Sequence, residues 1–108
     1  MTGPEPRPPH GHFVHAPGDP WEAESSLCVG TVLIVKLVPA GGYRWSTIEV
    51  SDVALADVST DVDADGVARA TVTALRTGEV ILSATTLHTG DRFGPPTRRW
   101  RMTMRIVS

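Results

Sequence analysis

Residues 99–106 read Arg-Trp-Arg-Met-Thr-Met-Arg-Ile, a strict alternation of polar and apolar side chains. A helix would scatter Trp100, Met102, Met104 and Ile106 around its axis. A strand sends successive side chains to opposite faces, so this run fits a strand with one buried and one wet face. The same period recurs along the chain. In 31–38, Leu33, Val35 and Leu37 share a face and Lys36 lies on the other. In 67–75, Ala70, Val72 and Ala74 alternate with Arg69, Thr71 and Thr73. In 79–87, Val80, Leu82 and Ala84 point one way. Shorter strand-like runs cover 25–29, 44–50 and 53–59, giving about seven strands. Turn residues separate them: Val29-Gly30, Gly41-Gly42, Asp65-Gly66, Thr77-Gly78, and Gly90 through Pro96. No segment has a helical period. Short strands at this spacing predict an Ig-like antiparallel β-sandwich with Greek-key connections. The break at 88–97, HTGDRFGPPT, is too long and too rich in proline and glycine for a tight hairpin, and it predicts a protruding loop.

A chain of 108 residues, 41% hydrophobic, makes one domain with a core of its own. No apolar run approaches the roughly 18–20 residues of a spanning helix. The net charge of −2 supplies no general attraction to nucleic acid or an anionic membrane, so neither is expected as a partner, and a monomer is expected. The charge is uneven. Glu49, Asp52, Asp57, Asp61, Asp63 and Asp65 crowd one segment, and Arg92, Arg98, Arg99, Arg101 and Arg105 crowd another. Neutralisation between strands on a solvated face accounts for this. Cys28 is the single cysteine, which excludes an intrachain disulfide. Its strand-like surroundings contain no base, which predicts packing and not nucleophilic chemistry.

Six of the nine prolines lie in the first 20 residues. Proline fixes φ and lacks a donor, so residues 1–23 are expected to form a flexible tail and 24–108 the sandwich. The tail carries His10, His12 and His15 in an HxHxxH spacing that can hold a transition metal weakly, but no acid or thiol completes the set. A solvated tail without metal is the expectation. The N-terminus lacks a basic start and an apolar core of signal-peptide length, so the chain as written reads as cytoplasmic, and as secreted if translation begins upstream.

No catalytic residue and no cofactor are expected. The chain has no Gly-x-Ser-x-Gly elbow, no phosphate-cradling loop and no Cys/His metal spacing. The run Asp61-Val62-Asp63-Ala64-Asp65 is half of a calcium loop without the distal glutamate, and it reads as a solvated turn. His88 and Asp91, both in the long loop, read as incidental neighbours.

Residues 29–107 resemble the chagasin-like inhibitors of papain-like cysteine peptidases. Val29-Gly30 is similar to that family's turn into its second strand, and 39-PAGGYRW-45 stands where the family carries Asn-Pro-Thr-Thr-Gly-Tyr-x-Trp. Residues 70–85 resemble its paired strands around an Ala-Leu-x-x-Gly turn, and 99–107 its last strand. The resemblance implies that three loops at one end of the sandwich occlude the peptidase cleft. Pro39, Gly42, Tyr43 and Trp45 match the first loop, while Ala40 and Gly41 replace its two threonines and Val38 its asparagine. The second loop falls at 61–68, where only Asp65-Gly66 remains of a Gly-x-Gly-Gly element. The third should begin with Arg-Pro-Trp, where this chain has His88, Thr89 and Gly90, and Arg92 or Phe93 follows as a substitute anchor. Partner-binding residues implied in this way are Pro39, Ala40, Gly41, Gly42, Tyr43, Gly66, His88, Arg92 and Phe93, with a papain-like cysteine peptidase as partner.

Residues 45–85 also resemble bacterial Ig-like domains of group 2, with near equivalents of that family's Trp-Ser, Val-Ala-x-Val, Asp-Gly and Pro-Gly-x-x-x-Ile elements. That resemblance implies a structural or adhesion module without inhibitory activity. Trp45 is the expected core anchor on the third strand, with Tyr43 packing its ring at the loop–strand junction. Gly41 and Gly42 either permit positive φ in a turn or let the backbone approach a partner, and the sequence fits both.

Overall fold

The computed structural model describes residues 10–90 and 98–108, in which all regular structure is β. The strands are β1 (His10–His15), β2 (Glu22–Cys28), β3 (Val32–Leu37), β4 (Tyr43–Trp45), β5 (Glu49–Val50), β6 (Ala56–Val62), β7 (Ala68–Ala74), β8 (Gly78–His88) and β9 (Arg98–Val107). One sheet has the order β1-β3-β7-β6, and the other β2-β9-β8-β4, with β5 also paired to β8. The alternation read from the sequence sets the core. Leu33, Val35 and Leu37 of β3 and Ala70, Val72 and Ala74 of β7 form one wall. Val80, Leu82 and Ala84 of β8 face them, together with Trp100, Met102, Met104 and Ile106 of β9, all at most 5% exposed. The Ig-like sandwich is therefore present, built of nine described strands, and its sheets are mixed.

Both parallel pairings involve residues 10–28: β1 lies within the segment expected to be a tail, and β2 overlaps its end and the strand expected at 25–29. β1 runs parallel to β3, with His10 opposite Val32 and His15 opposite Leu37, and β2 runs parallel to β9. Residues 10–16 are a proline-free window between Pro9 and Pro17 in which Phe13 and His15 turn inward, and the free edge of β3 supplies the missing partner. Proline returns only in the crossover, where Pro17 and Pro20 flank a turn closed by Asp19 N–H donating to the Ala16 carbonyl at 3.0 Å. Residues 10–28 thus clasp the sandwich, adding one strand to each sheet. The remaining part of the expected tail, residues 1–9, lies outside the described residues.

Three smaller expectations are corrected. Cys28 is exposed, because Ala23, Ser25 and Leu27 take the inward positions of β2. The run 44–50 is two strands, because Trp45 and Ile48 are both buried at a spacing of three, which period two cannot satisfy without a break. Ile48 N–H then donates to Thr60 Oγ1 at 3.0 Å. Of the β9 arginines, Arg101 is met by Glu22 at 3.3 Å and Arg105 by Glu79 at 4.0 Å, not by the acidic segment 49–65. These exposed pairs contribute little to stability. Among the described residues no helix is long and apolar enough to cross a membrane.

Trp45 is 2% exposed and packs against Trp21 at a centroid distance of 5.5 Å and edge-on to His15 at 5.6 Å, joining the clasp to the core. Trp45→Ala is expected to lower the unfolding free energy by about 3–5 kcal/mol, as a large-to-small core change does. Urea titration checks this, and a loss under about 1 kcal/mol would place the indole outside the cooperative core.

Candidate functional site

The strand registers bring the connections 16–21, 38–42, 63–67 and the start of the β8–β9 connection to one end of the sandwich. Leu37 lies opposite both His15 and Ala68, Val62 opposite Ala68, and Tyr43 opposite His88. All of the implied partner-binding residues within the described chain belong to this end. Arg92 and Phe93 lie outside the described residues.

The first connection turns tightly. Tyr43 N–H donates to the Ala40 carbonyl at 3.0 Å, and Gly42 has φ of +80°, the conformation a type II turn requires at its third residue. Gly41 has no positive φ, and a Cβ built there meets nothing within 4 Å. The two glycines thus separate: Gly42 is needed by the backbone, and Gly41 is not. Ala40, Gly41 and Gly42 are exposed, while Pro39 and Tyr43 are half-buried.

The turn is tied to the start of the third connection. The Gly42 carbonyl accepts from Thr89 N at 2.9 Å and from Thr89 Oγ1 at 3.1 Å. The Tyr43 ring packs edge-on against the His88 ring, with centroids 5.1 Å apart. Gly90 N–H donates to His88 Nδ1 at 3.2 Å, so Nδ1 acts as the acceptor and the neutral ring carries its proton on Nε2. His88 is therefore engaged by Tyr43 and Gly90, and Asp91 lies outside the described residues.

The second connection is organised by Asp63. Its Oδ1 accepts from Asp65 N at 2.8 Å and Val67 N at 3.1 Å, and its Oδ2 meets Arg69 at 2.7 Å. The half-loop of acids is thus a turn, with Asp63 used internally and Ala64 and Asp65 exposed. Gly66 is buried, contrary to its expected place on the binding surface. Its φ is +82°, and a Cβ there would come within 2.9 Å of Arg44 Cα. The Gly66 carbonyl accepts from Trp45 N at 3.0 Å, locking the β6–β7 hairpin of one sheet to β4 of the other. Ala64 and Asp65 are the exposed residues of this turn.

His12 and His15 lie on opposite faces of β1, His12 exposed and His15 buried, which prevents them from sharing a metal. Among the described residues no group of three or more His, Cys, Asp or Glu side chains is placed to hold one. His15 donates from Nε2 to the Asp19 carbonyl at 3.2 Å and stacks between Trp21 and Trp45. The tie from Thr89 and the hub role of Asp63 escaped the sequence reading. Thr89 carried no local signal, whereas Asp63, three residues before Gly66, has the Asx-turn spacing that could have revealed it.

No sequence family and no curated protein matches the chain. The fold does match solved structures. The cysteine protease inhibitor EhICP2 from Entamoeba histolytica superposes with a TM-score of 0.56 at 14% identity, over 96% of this chain and 99% of that one. PbICP-C in complex with falcipain-2 gives 0.50 at 11% identity, over 99% and 95%. SSP-19, an MSP-domain protein like family member in Caenorhabditis elegans, gives 0.57 at 18% identity, over 80% and 94%. The sandwich is thus similar in fold to that of EhICP2 over nearly the whole of both chains, and similar in fold to that of SSP-19 over most of both.

Asp63 carries a pH prediction. The hydrogen bond from Arg69, supported by the Val67 and Asp65 N–H groups, holds its carboxyl below the ordinary value, against a smaller opposing effect of desolvation. A carboxylate whose folded pKa is the lower one stabilises the fold above its unfolded pKa, and that contribution fades as pH falls through the folded value. Thermal melts between about pH 6 and pH 2 are expected to fall on the acid side. Asp63→Asn should lose part of that dependence while melting lower at neutral pH. Superimposable acid limbs would remove Asp63 from the account.

Proposed function

We propose that this chain is a protein-binding module that inhibits papain-like cysteine peptidases by steric occlusion, inserting the loop end of the sandwich into the active-site cleft. One observation carries the reading. The exposed backbone of Ala40-Gly41-Gly42 is held out at the sandwich end and fixed through two hydrogen bonds from Thr89 to the Gly42 carbonyl. A preordered loop loses less conformational entropy on binding, so more of the contact energy is available as affinity. The open space around Gly41 leaves peptide backbone as the foremost surface, suited to close approach in a narrow cleft. The whole-length likeness of fold to EhICP2 supports the same reading.

On this mechanism Ala40, Gly41 and Gly42 cover the catalytic cysteine, with Ala64 and Asp65 on one flank and His88 and Thr89 on the other. Tyr43 supports the tip through His88. The chain needs no chemistry of its own, because a cleft filled by a rigid loop admits no substrate.

The decisive experiment is titration of active papain with the protein while following cleavage of a fluorogenic peptide. Competitive inhibition is expected. Gly41→Trp should weaken it at least about 100-fold, because a large side chain then stands at the centre of the contact. Since Gly41 has neither a positive φ nor a neighbour for a Cβ, its melting temperature should move by no more than about 2 °C. Absence of inhibition at roughly 50 µM protein would turn the reading to an Ig-like interaction module without inhibitory activity.

A further inference from the structure

Beside the loop end, between the β1–β2 crossover and β4, lies a cleft of about 600 Å³ that shares Ala40 and Tyr43 with the proposed contact. Its volume falls within the range of small-molecule sites, about 300–1,000 Å³. The indole of Trp21, the ring of Tyr43 and the edge of Trp45 line it, so flat apolar surface dominates. Trp21 is half-buried, with its ring in contact with both Trp45 and His15.

Among the described residues two charged side chains, Asp19 and Arg98, line the cleft, and they are not equivalent. Asp19 is engaged within the crossover turn, accepting from Ala16 N at 2.8 Å through Oδ2. Arg98 is exposed, its guanidinium carbon 4.4 Å from the centre of the Trp21 ring, and among the described residues no carboxylate lies within ion-pair distance of it. The cleft therefore pairs one carboxylate bound into its own turn with one cation whose donor edge has no carboxylate partner among the described residues. A guanidinium stacked on an aromatic ring keeps its donor edge free for a carboxylate.

Two lining ring nitrogens, Trp45 Nε1 and His15 Nδ1, are buried with no hydrogen-bond partner among the described residues. Buried polar atoms are nearly always paired in folded proteins, and the exceptions call for a physical reason. Because His15 Nε2 donates to the Asp19 carbonyl, Nδ1 of the neutral ring has a lone pair to offer, and Trp45 Nε1 has a proton.

We infer that this cleft is a binding site for a small aromatic carboxylate, with the ring stacked among Trp21, Tyr43 and Trp45 and the carboxylate on Arg98. The site needs no peptidase, although it borders the proposed inhibitory contact through Ala40 and Tyr43.

The test is titration of the full ¹⁵N-labelled chain with indole-3-acetate and, separately, with uncharged indole-3-acetamide, following the indole N–H signals of the three tryptophans by NMR. The Trp21 and Trp45 signals should shift saturably with the acid, and the signal of Trp100, which does not line the cleft, should stay in place. The acid should bind about tenfold more tightly than the amide, and Arg98→Ala should erase that preference, as the loss of a charge-assisted hydrogen bond does. Because Arg98 is exposed, the variant should keep the wild-type spectrum elsewhere. Absence of saturable shifts, or equal binding of acid and amide in the wild type, would overturn the proposal. So would a preference for the acid that survives in Arg98→Ala.

Discussion

The approach of Gly66 to the backbone of Arg44 sets the geometry of the whole loop end. A Cβ at position 66 would sit 2.8 Å from Arg44 Cβ, so only glycine lets the β6–β7 hairpin press against β4. That contact brings the Gly66 carbonyl to Trp45 N–H, a hydrogen bond that crosses from one sheet to the other. Once β4 is fixed, Trp45 is fixed in the core and Tyr43 at the rim. The Tyr43–His88 and Gly42–Thr89 contacts then position the tip of the first loop. The glycine expected to be a contact residue thus lies beneath the loop end and holds two sheets together there.

The clasp formed by residues 10–28 completes this end from the other side. His15 and Trp21 close over Trp45, and Val38 N–H donates to the His15 carbonyl at 2.8 Å, tying the base of the first loop to β1. The clasp also occupies one edge of each sheet, covering backbone groups of β3 and β9 that would otherwise invite pairing with other chains.

The central strands were legible because burial on one face leaves a period that composition cannot hide. Leu33 to Leu37, Ala70 to Ala74, Val80 to Ala84 and Trp100 to Ile106 all point inward as read. What was not legible is what depends on partners far along the chain. β1 alternates weakly, with Gly11 and Phe13 only half-buried, and its strand character comes from β3 and not from its own residues. β5 has two residues and owes its place to the pairing with β8. At the candidate site, the first loop could be located from Pro39, Gly42, Tyr43 and Trp45. The distinct duties of Gly41, Gly42 and Gly66 could not, because glycine looks the same in sequence whether it serves φ, close packing or open space.

Gly41 at the tip of the first loop raises a physical question for any binding role, since glycine there adds freedom that must be lost on contact. The structure offsets this outside the tip. The turn is closed internally by Tyr43 N–H on the Ala40 carbonyl, and externally by the two bonds from Thr89. Hydroxyl chemistry absent from the first loop thus recurs at the start of the third, where it acts on the backbone of the first. Rigidity of the tip has become a property of two loops together. A substitution in either is therefore felt in both, and the energies of variants at Gly42 and Thr89 should couple rather than add, as contacts within one hydrogen-bond network do.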